Sequence, residues 1–139
     1  MGLAAVLLVM IPNIIWAIFP PGNNPLATDV LSLPLLDILE NVFRTALIIL
    51  LLLLTVRDPD LNPRNEAWLI SSVALLVAYY FCWIIYFCGN TDPAILLGLA
   101  IAPSAFFCLY ALWLKNVPAF FVSVLFAATH IIITSINYL

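Results

Sequence analysis

A chain of 139 residues that is 66% hydrophobic and only 8% charged has too few polar groups to cover a water-soluble core, since soluble domains carry about 25% charged residues. Its net charge of −3 comes from four basic and seven acidic side chains, and so sparse a basic set offers no electrostatic footprint for nucleic acid. With a mean hydropathy of +1.21 the natural solvent is lipid, and the length fits a single integral membrane domain over 1–139.

The first expected span is Gly2–Phe19. It lacks the basic start and small-residue cleavage site of a signal peptide, and Val6 stands where a myristoylation motif needs Ser or Thr, so it reads as a retained span. A long connection follows, Pro20 to Leu35, whose Leu26, Val30, Leu31 and Leu33 suit a membrane surface or a cap on the bundle. Leu36–Val56 is the second span, closed by "RDPDLNPRNE". Ala67–Cys88 is the third, closed by "GNTDP", and Ala94–Leu114 the fourth. Turn chemistry marks each of these breaks. Only "KNVP" separates span four from the last, Val117–Tyr138. One helix from Ala94 to Leu139 would run about 70 Å at 1.5 Å per residue, more than twice the roughly 30 Å hydrocarbon core, so a tight helical hairpin is expected.

The predicted fold is therefore all-α, a polytopic transmembrane bundle of about five spans. Arg57 and Arg64 follow span two and Lys115 follows span four, which places all three on the side of the N-terminus. The positive-inside rule then predicts a cytoplasmic N-terminus and an outer C-terminus, as in a multi-pass plasma-membrane protein. Trp68 and Trp113 fall near inner helix ends, and Trp16, Tyr86 and Tyr138 near outer ones, positions that suit interfacial anchoring. Cys82, Cys88 and Cys108 lie in apolar stretches without metal-ligand spacing and read as small buried hydrophobes.

Polar residues recur at helical spacing in the outer half of several spans. Asp37, Glu40, Asn41 and Arg44 share one face of span two, Tyr79, Cys82, Trp83 and Tyr86 one face of span three, and His130, Thr134 and Asn137 one face of span five. Span one adds Pro12, Asn13 and Trp16. Because polar groups turn away from hydrocarbon, these stripes predict a shared, outward-facing pocket built from Glu40, Arg44, Asn41, Asn13, His130, Tyr79, Trp83, Tyr86 and Thr134. In that pocket Glu40 is the titratable carboxylate, Arg44 its counter-ion or an anion anchor, and His130 a proton relay. The three aromatics would stack on an apolar or cationic ligand.

Each feature also has a structural reading. Asp37 and Glu40 offset the positive end of a helix dipole, Glu40 and Arg44 form a helical i,i+4 pair, and Asn13 bonds backbone groups freed by Pro12. Gly98 and Ala102 form a small-xxx-small pattern suited to close packing or an oligomer face. A lone histidine makes no metal site, no cofactor motif is present, and nucleophile and phosphate-loop signatures are missing. Three functions fit this pattern. The first is small-molecule or proton-coupled binding or transport, with the bilayer and a homodimer or larger complex as partners. The second is a non-catalytic structural or regulatory subunit, and the third an intramembrane enzyme that uses Glu40 and His130 on a lipid.

Overall fold

The computed structural model describes residues 1–28, 33–54 and 63–139, the last segment with side chains from residue 66 onward. Val30, Leu31, Thr55, Val56, Arg57 and the side chain of Arg64, on which parts of the loop, span-two and orientation readings rest, lie outside the described residues. Helix α1 covers Gly2–Ile18, α2 Pro34–Leu53, α3 Pro63–Phe87, α4 Pro93–Trp113 and α5 Val117–Tyr138, with a short 3-10 turn at Pro25–Ala27.

The helices differ from the expected spans mainly at their starts. α2, α3 and α4 each begin on a proline, at Pro34, Pro63 and Pro93, and α5 has Pro118 in its first turn. Proline is preorganised for the opening turn, where its missing N–H goes unneeded, so the chain enters α2, α3 and α4 earlier than hydropathy alone places them, whereas α5 starts at Val117 as expected. The hairpin between α4 and α5 is tight. Lys115 takes a left-handed φ of 53°, and Asn116 caps α5 by accepting from Ala119 N at 3.0 Å.

Among the described residues three helical segments, Glu66–Phe87, Pro93–Trp113 and Val117–Tyr138, are long and apolar enough to cross a membrane. α1 is equally apolar but has 17 residues, about 26 Å of helix at 1.5 Å per residue. α2 has 20 residues and carries Asp37, Glu40 and Arg44. Exposed apolar stripes run along Ile70, Val73, Val77, Phe81 and Ile84 of α3 and along Leu3, Leu7, Ile11, Ile14 and Ile18 of α1. Surfaces of this kind suit lipid contact and are costly in water.

α4 lies between α3 and α5, α5 also packs along α2, and α1 touches α2, α3 and α4 more lightly. Small side chains allow the close pairs. A Cβ on Gly98 of α4 would stand 2.8 Å from Cys82 Sγ of α3, so the small-residue pattern serves packing within the bundle. Ser72, Ser104 and Ser123 are fully buried and donate to carbonyls of their own helices, Leu69 O, Ala100 O and Phe120 O, at 2.7–2.8 Å, so the close-packed helix faces carry no unsatisfied hydroxyl. Of the cysteines, Cys82 and Cys108 are half-buried, whereas Cys88 is exposed. It follows the last residue of α3 and so leaves the packed face with the turn.

Hydrogen bonds define two ends of the bundle. At one, Tyr110 of α4 donates to Met1 O at 3.0 Å, and Asn116 donates to Leu50 O and Leu54 O at the end of α2, at 3.0 and 2.6 Å. At the other, Trp16 Nε1 and Tyr86 Oη both donate to Asn24 Oδ1, at 2.8 and 2.7 Å, and Asn23 Nδ2 donates to Thr91 Oγ1 at 3.2 Å. Thus successive helices alternate in direction, and the connection after α1 is laced across one end.

Candidate functional site

The end held by Asn24 contains a partly open cavity of about 450 Å³, within the range typical of small-molecule sites. All five helices contribute: Met10, Asn13 and Trp16 from α1, Glu40 and Arg44 from α2, Tyr79 and Trp83 from α3, Leu99 and Pro103 from α4, and Phe126, His130, Ile133 and Thr134 from α5. Leu26 of the 3-10 turn also lines it, so part of the long connection covers the bundle.

One wall is ionic. Arg44 Nη2 donates to Glu40 Oε1 along α2. From α5, His130 Nδ1 lies 3.2 Å from the same oxygen. Two donors from two helices therefore converge on one carboxylate oxygen. The Glu40 side chain is 10% exposed, His130 30% and Arg44 48%, so the carboxylate is the inner member and the guanidinium reaches outward. The flat face of His130 stacks on Phe126, ring centroids 5.2 Å apart and planes 14° apart. Thr134 Oγ1 donates to His130 O at 2.8 Å, satisfying its hydroxyl within α5.

A second wall joins α1 to α3. Asn13 Nδ2 donates to Tyr79 Oη at 2.7 Å and to Val9 O at 2.8 Å, and Tyr79 Oη donates to Val9 O at 3.2 Å. Asn13 was expected to serve the backbone freed by Pro12, but the group that proline orphans is the carbonyl four residues earlier. That carbonyl, Leu8 O, instead accepts from Tyr80 Oη at 2.7 Å. Tyr80 was missed because its place beside Pro12 depends on how α1 crosses α3.

The aromatic residues mostly pack on one another. Trp83 is flanked edge-on by Tyr79 at 6.3 Å and Tyr86 at 5.6 Å, and it stacks on Phe87 at 5.5 Å. Its Nε1 is buried and has no hydrogen-bond partner among the described residues. The neighbouring Tyr79 hydroxyl is already engaged by Asn13 and Val9. A buried indole N–H without an acceptor costs about 1–3 kcal/mol.

Of the sequence candidates, the structure brings Glu40, Arg44, Asn13, His130, Tyr79, Trp83 and Thr134 to one cavity. Two others lie outside its lining. Asn41 is exposed and donates to Asp37 O at 2.8 Å, because one residue past Glu40 the α2 face has already turned away. Tyr86 is fully buried and belongs to the Asn24 hub. Asn24 is absent from the sequence candidates, although its amide oxygen accepts from both Trp16 and Tyr86. Among the described residues no three His, Cys, Asp or Glu side chains gather as a metal site. No protein-family model matches the chain, and no curated protein or solved structure is significantly similar to it.

Proposed function

We propose that the chain crosses the plasma membrane five times, with its N-terminus in the cytoplasm, and binds a small molecule in the cavity between its helices. The observation that carries this reading is the meeting of Arg44, Glu40 and His130 on a cavity wall. Ionisable groups within a membrane bundle are expensive and tend to mark ligand or ion paths. These three come from two helices and meet on the wall of a space large enough for a ligand. Under this topology the cavity lies toward the outside, and Lys115 at the α4–α5 turn lies inside. Coupled proton movement is a second chemistry for the same site, carried by the 3.2 Å contact between His130 Nδ1 and Glu40 Oε1.

The test replaces Cys82, Cys88 and Cys108 with Ala and introduces Thr134→Cys or Lys115→Cys in intact cells. A membrane-impermeant maleimide applied outside should label the cavity cysteine and spare the turn cysteine. Labelling of the turn cysteine alone reverses the topology, and a cavity cysteine inert from both sides removes the ligand site. The subunit reading is favoured by one feature, the half-exposed Arg44 on a helix that also exposes Ile38, Val42 and Ile49. It predicts that a photo-cross-linker at position 44 captures a second protein chain.

A further inference from the structure

We infer that the cavity selects an amphipathic ligand with an oxyanionic or strongly accepting head, held by Arg44. This deepens the small-molecule reading and rests on it. The argument is an inventory of donors and acceptors. Arg44 has five N–H donors and uses Nη2 on Glu40. Its side chain is 48% exposed and lines the cavity, so a planar fork remains for an incoming oxygen pair. Glu40, the carboxylate of the lining, is 10% exposed and receives Arg44 and His130 on one oxygen. The guanidinium is thus the more accessible charge on this wall.

A cationic ligand is disfavoured by the same geometry. Cation recognition by aromatic residues needs open ring faces. Trp83 instead stacks on Phe87 and meets Tyr79 and Tyr86 edge-on. A cation would also have to share Glu40 with the guanidinium beside it. The rest of the lining, including Leu96, Leu99, Pro103, Phe126 and Ile133, is apolar and suits a hydrocarbon or aromatic body.

Three probes of matched shape and different head charge decide the matter: 2-naphthoate, 2-naphthalenemethanol and 2-naphthylmethylamine. Equilibrium dialysis of each against the full chain in phosphatidylcholine nanodiscs, with empty nanodiscs as baseline, reads binding without requiring a variant. Naphthoate is expected to bind about tenfold more tightly than the alcohol, as one charge-assisted hydrogen bond implies, and the amine is expected to bind least. Arg44→Gln should remove that preference. Preference for the amine or the alcohol overturns the assignment of head chemistry and leaves small-molecule binding standing. If none of the three exceeds the baseline, both readings fall together.

Discussion

The same helices pack in two different ways along their length. At the Met1 end, backbone meets backbone: a Cβ on Gly2 would lie 1.8 Å from Leu51 O, and Asn116 reaches the last carbonyls of α2. At the Asn24 end, α1, α2 and α5 present Asn13, Glu40, Arg44 and His130 to one another, and a cavity remains. Small residues and one buried amide close the first half. Large aromatic and ionic groups, satisfied largely by one another, keep the second half open. Stability is therefore concentrated away from the cavity, which leaves the cavity side chains freer to vary in chemistry.

The largest effect should come from breaking the closed half at Asn116. This residue is 3% exposed and makes three hydrogen bonds, two to α2 and one to the start of α5. Asn116→Ala removes the α5 cap and leaves two helix-end carbonyls without their side-chain donor, a cost of about 3 kcal/mol. Asn116→Ser keeps a capping oxygen and loses only the donors to α2, so about half of that loss should return. Denaturant titration of the detergent-solubilised protein reads both, and equal losses for the two variants would show that the cap contributes nothing. Next comes Gly2→Ala. The added methyl meets backbone rather than a movable side chain, and overpacking of this kind costs about 1–3 kcal/mol. Cavity labelling through Thr134→Cys should stay unchanged in both cases. If either variant alters it, the two halves are mechanically coupled and the contrast drawn above fails.

The open half responds through charge. A double-mutant cycle of Glu40→Gln and His130→Ala should give a coupling of about 1 kcal/mol, moderated by the partial exposure of the imidazole. Arg44, Tyr79 and Tyr138 also line the cavity, so the cycle should be repeated with Arg44→Gln to isolate the His130 contribution. A coupling near zero in both backgrounds means that His130 and Glu40 lie side by side without a bond that holds α5 to α2.

These contrasts also show what was legible beforehand. The helical segments and the tight last hairpin follow from apolar length and prolines, which act locally. The cavity candidates follow from register, since i, i+3, i+4 and i+7 spacing puts Glu40 with Arg44 and Tyr79 with Trp83 whatever surrounds them. Register does not say which helix faces which. Hence α4 was overlooked as a wall, although Leu96, Leu99 and Pro103 line the cavity, and Tyr86 was grouped with Trp83 when its hydroxyl serves Asn24. Asn116 was visible in principle, because an Asn two residues before proline at a helix start is an N-cap signature. Its second role at the end of α2 depends on α2 and α5 packing together, which local spacing cannot express.

The smallest effect sharpens the comparison at the seam between the halves. Pro12 removes the N–H that would have met Leu8 O, and Tyr80 supplies a substitute from α3 at 2.7 Å. With the bonds of Tyr79 to Asn13 and Val9, this bond ties α1 to α3, where α1 has few close approaches to the other helices. Tyr80→Phe should cost about 1 kcal/mol, the net worth of one hydrogen bond. In a Pro12→Ala background the restored N–H can bond Leu8 O within α1, so the same substitution should cost less than half as much. Strict additivity of the two changes in a denaturant titration would mean that Tyr80 holds α1 by ring packing rather than by repairing the proline break. In that case the open half, like the closed one, would be held mainly by packing.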